Sequence, residues 1–287
     1  MCIRDRYFCV HGANFDGHDF AADAVEAGAS ALVCERALDL DVTQLVVSSV
    51  RGAMGPLAAV LAGMPGDSLD IVGITGTNGK TTTAHLLDAI AGRAGRSSRI
   101  IGTLTGARTT PEAPELQAQL AAMVADGVSL VAMEVSSHAL DQHRVDGTPF
   151  RVGVFTNLSQ DHLDHHGSMD AYFAAKARLF EPERCAVAVI NLDDPHGRKL
   201  ADASAVDVRG YSLNDVEDLT MDAAGSTFGW RGQRVHLALP GRFNVSNALA
   251  ALTAAVEVGL EPAAAAAGVG AAGVVPGRFE RVELGQP

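Results

Sequence analysis

An α/β fold is what this sequence predicts: a mainly parallel sheet covered by helices on both faces, preceded by a smaller α/β unit. Three observations carry that prediction. From about Leu69 onward, short apolar runs alternate with helical segments for some 200 residues, as in strand–helix–strand units stacked into one sheet. A glycine-spaced turn, Gly76-Thr77-Asn78-Gly79-Lys80, joins the first of those runs to the first of those helices. Polar residues follow directly after several predicted strands, at the edge where parallel sheets hold their ligands.

The elements follow in order. Residues 1–6 read as a polar stub unrelated to the rest of the chain. A strand is expected at 7–10, a turn-rich loop at 12–17, an alanine-rich helix at 20–29 closed by Gly28, and strands at 31–34 and 45–47. This unit begins abruptly, as though earlier strands preceded it. Met64-Pro65-Gly66-Asp67 marks a boundary, which gives an N-terminal unit at 1–66 and a central one at 67–275. In the central unit, buried strands are expected at 71–75, 129–133, 152–156 and 186–190, and helices at 82–94, 115–125 and 168–180. Apolar residues at 86, 87, 90 and 91 give the first helix a face to lay on the sheet. Residues 206–240 change character: alternation such as Gln233-Arg234-Val235-His236-Leu237 predicts antiparallel hairpins. Residues 244–258 are again helical, the tail is alanine- and glycine-rich, and 276–287 reads as the start of a linker.

Bulk properties narrow the function. At 287 residues, with 47% apolar and 20% charged, the chain has the composition of an ordinary globular protein of about two domains. A net charge of −12 excludes an extended nucleic-acid surface and leaves nucleotide binding open. Cys2, Cys9, Cys34 and Cys185 are scattered, which fits neither a disulfide framework nor a zinc site. No apolar run approaches the ~20 residues of a membrane span, and no signal peptide is visible, so the expected location is the cytoplasm. Lysine occurs only at 80, 176 and 199. In a chain that so favours arginine, each lysine raises the question of why arginine would not serve.

Strand, loop and helix around Gly76 bring backbone N–H groups and a helix N-terminus to one spot and favour an anion there. Lys80 adds a point charge, and the Thr81 hydroxyl suits a phosphate-bound magnesium. The motif departs from a regular phosphate loop because Ile74 stands where its first glycine belongs. Glu134 follows the run 129–133 and so falls on the same edge, where a carboxylate can hold magnesium directly or through water. The loop Thr156-Asn157-Leu158-Ser159-Gln160-Asp161-His162-Leu163-Asp164-His165-His166 offers imidazoles and carboxylates. Zinc accepts such donors, but HExxH and companion cysteines are missing, and spacing does not decide which histidine acts. In the stripe Met169, Phe173, Lys176, Phe180, the lysine lies on the apolar face of its helix. A buried ammonium must find a partner, lose its charge, or snorkel to the rim.

Taken together, Gly76-Thr77-Asn78-Gly79-Lys80-Thr81-Thr82, Glu134-Val135-Ser136-Ser137-His138, residues 157–164 and Tyr172-Phe173-Ala174-Ala175-Lys176 resemble the Mur ligases, ATP-dependent amide-forming enzymes of peptidoglycan assembly. Thr109-Thr110-Pro111, residues 134–144 and Gly241-Arg242-Phe243-Asn244-Val245-Ser246-Asn247 are most similar to the branch that adds the third peptide residue. The resemblance covers residues 7–287 and identifies the central unit as a P-loop-type ATPase domain. It implies that Lys80 with Gly76, Thr77, Asn78, Gly79, Thr81 and Thr82 holds the ATP phosphates, and that Thr81 and Glu134 bind one Mg2+. His162 and a carbamylated Lys176 would serve a second, so that Lys80, Lys176 and His162 are the implied catalytic set. Asn244 and Asn247 would lie near the adenine. Thr109, Thr110, Ser136, Gln142 and Arg144 would contact a UDP-linked dipeptide.

The implied reaction joins a diamino acid, meso-diaminopimelate ahead of L-lysine, to UDP-N-acetylmuramoyl-L-alanyl-D-glutamate through an acyl phosphate. The expected state is a monomer. Relative to the resemblance, the N-terminal unit lacks its opening, and a third domain that binds the amino acid would begin where the sequence stops. The expectation is therefore an incomplete fragment that binds nucleotide and UDP-substrate with little or no ligation. Two other readings compete: a folylpolyglutamate or cyanophycin synthetase-like ligase, and a non-catalytic nucleotide-binding module. The segments at 109–111 and 142–144 favour the Mur branch over both.

Overall fold

The computed structural model describes residues 2–3, 6–12 and 14–273, so the predicted linker at 276–287 lies outside the described residues. Four short strands open the chain in spatial order: β1 (Cys2–Ile3), β2 (Arg6–Phe8), β3 (Ala31–Cys34) and β4 (Thr43–Val46). The first pairing is antiparallel and the others parallel. Residues 2–3, expected to lie apart from the fold, thus form a hairpin with Arg6 and Tyr7. Helix α1 (Ala21–Glu26) follows a 3-10 turn, Gly17–Phe20. Helix α2 (Val50–Leu61), which the sequence reading missed, is capped by Ser49, whose Oγ accepts from the Gly52 N–H at 3.1 Å.

Six parallel strands make the central sheet: β5 (Asp70–Thr75), β6 (Ser98–Ile101), β7 (Leu130–Glu134), β8 (Phe150–Phe155), β9 (Cys185–Asn191) and β10 (Asp207–Tyr211). Their order is β10-β9-β8-β5-β7-β6, which puts the strand carrying the glycine turn in the interior. Strand side chains alternate between two faces. One face, with Val72, Ile74 and Val154, packs on α3 (Lys80–Arg93), through Leu86, Leu87 and Ile90. The other, with Ile71, Val131 and Met133, packs on Leu116 and Leu120 of α4 (Ala113–Ala125). Each such leucine removed from water contributes roughly 2 kcal/mol.

Two expectations need correction. Residues 207–211 are a parallel edge strand, and the antiparallel sheet is confined to β11 (Glu217–Met221), β12 (Ser226–Trp230) and β13 (Gln233–Leu237). Only one side of an edge strand is paired, so β10 alternates in polarity like a hairpin strand. The remaining helices are α5 (Ser137–Asp141), α6 (Leu163–His166), α7 (Met169–Ala177), α8 (Pro195–Ala203), α9 (Arg242–Glu257) and α10 (Pro262–Gly270). The last falls in the alanine- and glycine-rich tail, where no element is expected. Its small residues allow a close crossing on α3, where a Cβ at Gly268 would overlap the backbone of Ile90. Among the described residues no helix is long and apolar enough to cross a membrane.

A charged turn braces the far end of the sheet. Asp146 takes a hydrogen bond from Arg184 and faces His143 Nδ1 at 2.7 Å, while Arg184 Nε donates to Glu181 at 3.0 Å. Burial would push the Asp146 carboxyl up, but bonds to Arg184 and His143 outweigh it and hold the group below its usual range. A depressed carboxyl contributes stability above the unfolded pKa of about 3.9 and loses it as pH falls through the folded value. Arg184→Met is expected to cost about 3 kcal/mol at neutral pH and to move acid unfolding to higher pH. Urea melts of both proteins across the acid range check this, and parallel stability curves would overturn it.

Candidate active site

The glycine turn sits where β5 ends and α3 begins. Gly76 has φ 149° and Gly79 φ 90°, backbone angles that L side chains rarely adopt. Space excludes a side chain as well: a Cβ on Gly76 would overlap Thr156 Oγ1, and one on Gly79 would overlap Asn247 Oδ1. The end of β8 clamps the turn. Thr156 Oγ1 donates to Asn78 O at 2.6 Å; the Asn157 amide group donates to Asn78 O at 3.0 Å and accepts from Asn78 N at 3.0 Å. Thr77 N donates to Asn157 O at 2.9 Å. The loop is therefore preformed, with α3 starting at Lys80.

Both lysines singled out from sequence reach this loop. Lys80 Nζ donates to Gly76 O at 2.8 Å and Thr77 O at 3.0 Å, and Lys176 Nζ donates to the same Gly76 O at 3.0 Å. Lys176 is 1% exposed, and its Nζ lies 4.5 Å from the centre of the Tyr172 ring. Burial first, then the neighbouring Lys80, holds its ammonium well below the usual lysine range, against a weaker pull from Asp161. The apolar stripe is shifted from the expected one. Tyr172, Ala175, Lys176, Leu179 and Phe180 are buried, while Met169 and Phe173 flank them half-buried.

Glu134 ends β7 beside the loop and is 1% exposed. Thr81 Oγ1 and Thr103 Oγ1 each donate to its Oε2 at 3.1 Å, and Thr103 N donates to its Oε1 at 3.0 Å. Buried carboxylate and hydroxyl oxygens at a helix N-terminus suit magnesium, which keeps waters and phosphate oxygens as its other ligands. Thr103 was missed; its signal is its place just after the Ile100-Ile101 run, on the same edge as Glu134.

The histidine loop forms a stack instead of a closed ligand set. His138 of α5 lies 4.0 Å from His165 and 5.0 Å from His162, and His166 Nε2 meets Ser137 Oγ at 2.9 Å. Burial, then the surrounding histidines, lowers His138. His162 is half-exposed with φ 51°, and its ring is 6.1 Å from that of Tyr172. His162 and Lys176 thus meet through Tyr172. Among the described residues no group of three or more His, Cys, Asp or Glu is arranged to hold a metal.

On the other side of Glu134, Thr110 Oγ1 donates to Glu134 O at 2.9 Å and accepts from Ser136 N at 3.1 Å. Thr109 Oγ1 lies 3.0 Å from Thr103 Oγ1. Arg144 Nη2 donates to Gln142 Oε1 at 2.7 Å and Nη1 to Thr110 O at 3.2 Å. All five residues of this set are therefore in one cluster. A cavity of about 540 Å³ opens on the opposite flank of the loop, lined by Asn78, Gly79, Thr81, Asn157, Asn244 and Asn247. Asn247 Nδ2 donates to Asn244 Oδ1 at 3.3 Å. Sequence reading missed Phe243 and Asp194 on its wall. Phe243, 52% exposed, is an apolar ring at a helix start. Asp194 caps α8 and accepts from Leu158 N at 3.0 Å; Asp-Asp-Pro after a strand was its signal.

Known proteins resemble this chain in sequence and in fold. The Mur ligase middle domain matches residues 74–255, and the Mur ligase family catalytic domain matches residues 1–62. The chain is 43% identical to the UDP-N-acetylmuramoyl-L-alanyl-D-glutamate--2,6-diaminopimelate ligase of Streptomyces avermitilis, over 99% of this chain and 61% of that protein. The ligase of the same name from Geobacillus kaustophilus is 41% identical over 98% of this chain and 62% of its own length. A solved structure of a ligase so named superposes with a TM-score of 0.81 at 32% identity, over 92% of this chain and 59% of that one. The chain spans about three-fifths of the length of the curated relatives it matches. The middle-domain match covers well over half of the chain, and with the diaminopimelate ligase relatives at 41–43% identity it places this chain in the Mur ligase family.

Proposed function

We propose that this chain carries the nucleotide and UDP-substrate sites of a cytoplasmic ligase that joins meso-diaminopimelate to UDP-N-acetylmuramoyl-L-alanyl-D-glutamate at the expense of ATP. One observation carries the reading: Lys80, Thr81, Glu134 and Lys176 converge on one sheet edge, between the asparagine-lined cavity and the cluster from Thr109 to Arg144. Residues 1–66 belong to the UDP-substrate unit and 67–275 to the ATP unit.

The backbone amides at the start of α3 and Lys80 bind the ATP phosphates, with the base toward Asn244 and Asn247. Thr81 and Glu134 would hold a magnesium ion, which supplies charge neutralisation at the phosphates. Arg144, Gln142, Ser136, Thr109 and Thr110 orient the UDP-linked dipeptide so that its terminal carboxylate attacks the γ-phosphate. Acyl phosphate and ADP form, and the amine of the diamino acid then displaces phosphate. Most of the catalysis is the clamping of two anions against each other. Burial and the neighbouring Lys80 favour the neutral amine of Lys176, the form that would take up carbon dioxide as a carbamate with release of a proton. With His162, that anion would offset positive charge at a second metal position.

Calorimetry tests the reading. ATP–magnesium and UDP-N-acetylmuramoyl-L-alanyl-D-glutamate are each expected to bind the chain, one to one. Binding of ATP alone would favour another branch of the superfamily, and binding of neither would overturn the assignment of both sites.

A further inference from the structure

Charged side chains from three separate segments meet beside the proposed substrate cluster. Arg51, in the first turn of α2, donates from Nη1 to Glu112 Oε2 at 3.1 Å. Arg144 Nε faces the other oxygen of that carboxylate, Oε1, at 3.0 Å. Glu112 immediately precedes α4 and is 7% exposed. From Arg144 the path continues to Thr110 O, and from the Thr110 hydroxyl to Glu134 O. A chain of ion pairs and hydrogen bonds, passing through Thr110 itself, therefore runs from the N-terminal unit to the backbone carbonyl of Glu134, whose carboxylate lies beside the phosphate loop.

Backbone packing brings the same two parts together. A Cβ on Gly55 of α2 would overlap Asp146 O, and one on Gly147 would lie 2.8 Å from Pro56 N. The turn that α2 presses on begins two residues after Arg144. Both contacts fix where α2 sits relative to that arginine.

The charge count shows why Glu112 matters. Two guanidinium groups share one buried carboxylate, and Arg108 adds a further positive charge felt at Arg144. Without the carboxylate, Arg51 and Arg144 would repel each other in a poorly solvated place and Arg144 would have to move. We infer that Glu112, clasped between Arg51 and Arg144, is a positioning residue that sets the Arg144 guanidinium for the anionic UDP-linked substrate. Through it, affinity for that substrate depends on how α2 is seated. The inference rests on the substrate reading proposed above.

The test is calorimetry on the full chain, with UDP-N-acetylmuramoyl-L-alanyl-D-glutamate and ATP–magnesium titrated separately. Arg51→Met and Glu112→Gln are each expected to weaken the UDP-dipeptide by about tenfold or more while ATP stays within about twofold. Because Arg51 acts through Glu112, the double variant should bind no worse than Glu112→Gln alone. Glu112→Asp, which keeps the charge, should recover part of the loss. Gly55→Ala, which disturbs the seat of α2 without touching the charges, should show the same selective weakening. Unchanged UDP-dipeptide affinity, an additive double variant, or equal losses for both ligands would overturn the inference. A wild type that binds ATP and not the UDP-dipeptide would instead defeat the substrate reading itself and take the inference with it.

Discussion

Exchanging Lys80 for methionine is expected to weaken ATP–magnesium binding by about a hundredfold and to leave the UDP-dipeptide affinity unchanged. A hydrogen bond to a charged group contributes roughly 1.5–3 kcal/mol, and about 1.4 kcal/mol is tenfold in affinity. The loop itself should survive. Gly76 O keeps Lys176 as a donor, and Thr156 and Asn157 still clamp Asn78. The loss would then come from the missing charge, with little from collapse of the cradle. Calorimetry together with a thermal melt separates the two, and an unchanged ATP affinity would put the phosphates elsewhere.

Lys176→Met should do the reverse to stability: the variant should be more stable than the wild type at neutral pH in buffer free of carbon dioxide. The folded pKa of Lys176 lies below the unfolded value of about 10.4. Between the two, the unfolded chain holds a proton that the folded chain has given up, so wild-type stability rises with pH across that window. Contributed stability is full above the unfolded pKa and is lost as pH falls through the folded one. Methionine removes the titration and fits the same volume, at the loss of one hydrogen bond to Gly76 O. A net gain of about 1–3 kcal/mol follows, shrinking as pH is raised toward the usual lysine range. Bicarbonate with magnesium should stabilise the wild type alone, and a carbamate carbonyl should appear by NMR with isotopically labelled bicarbonate in the wild type only. A variant less stable than the wild type at neutral pH would show that the ammonium is well compensated where it lies.

Much of the site was legible because its residues follow strands. Gly76, Lys80, Thr81 and Glu134 each sit within a few residues of an apolar run, and in a parallel sheet that position alone places them on one edge. The burial of Lys176 was legible from helical periodicity, although the buried face was one column away from the expected stripe. Its partners were not. A carbonyl one hundred positions earlier in the chain leaves no local trace, and neither does the ring of Tyr172 as a support shared with His162. Strands β6 and β10 were missed or misassigned because edge strands are half-solvated, so their polarity resembles that of loops and hairpins.

Periodicity, glycine placement and the strand-end residues determined the sheet, the phosphate loop and the identity of the chemical groups, because these are local properties of backbone sterics and side-chain burial. Only the tertiary structure decided which groups touch. It put Asn157 on the backbone of Asn78, Thr103 on Glu134, and Arg51 on Glu112 across 61 residues of chain. Those pairings depend on strand order and on how closely glycine-bearing surfaces approach each other, and a linear pattern carries neither.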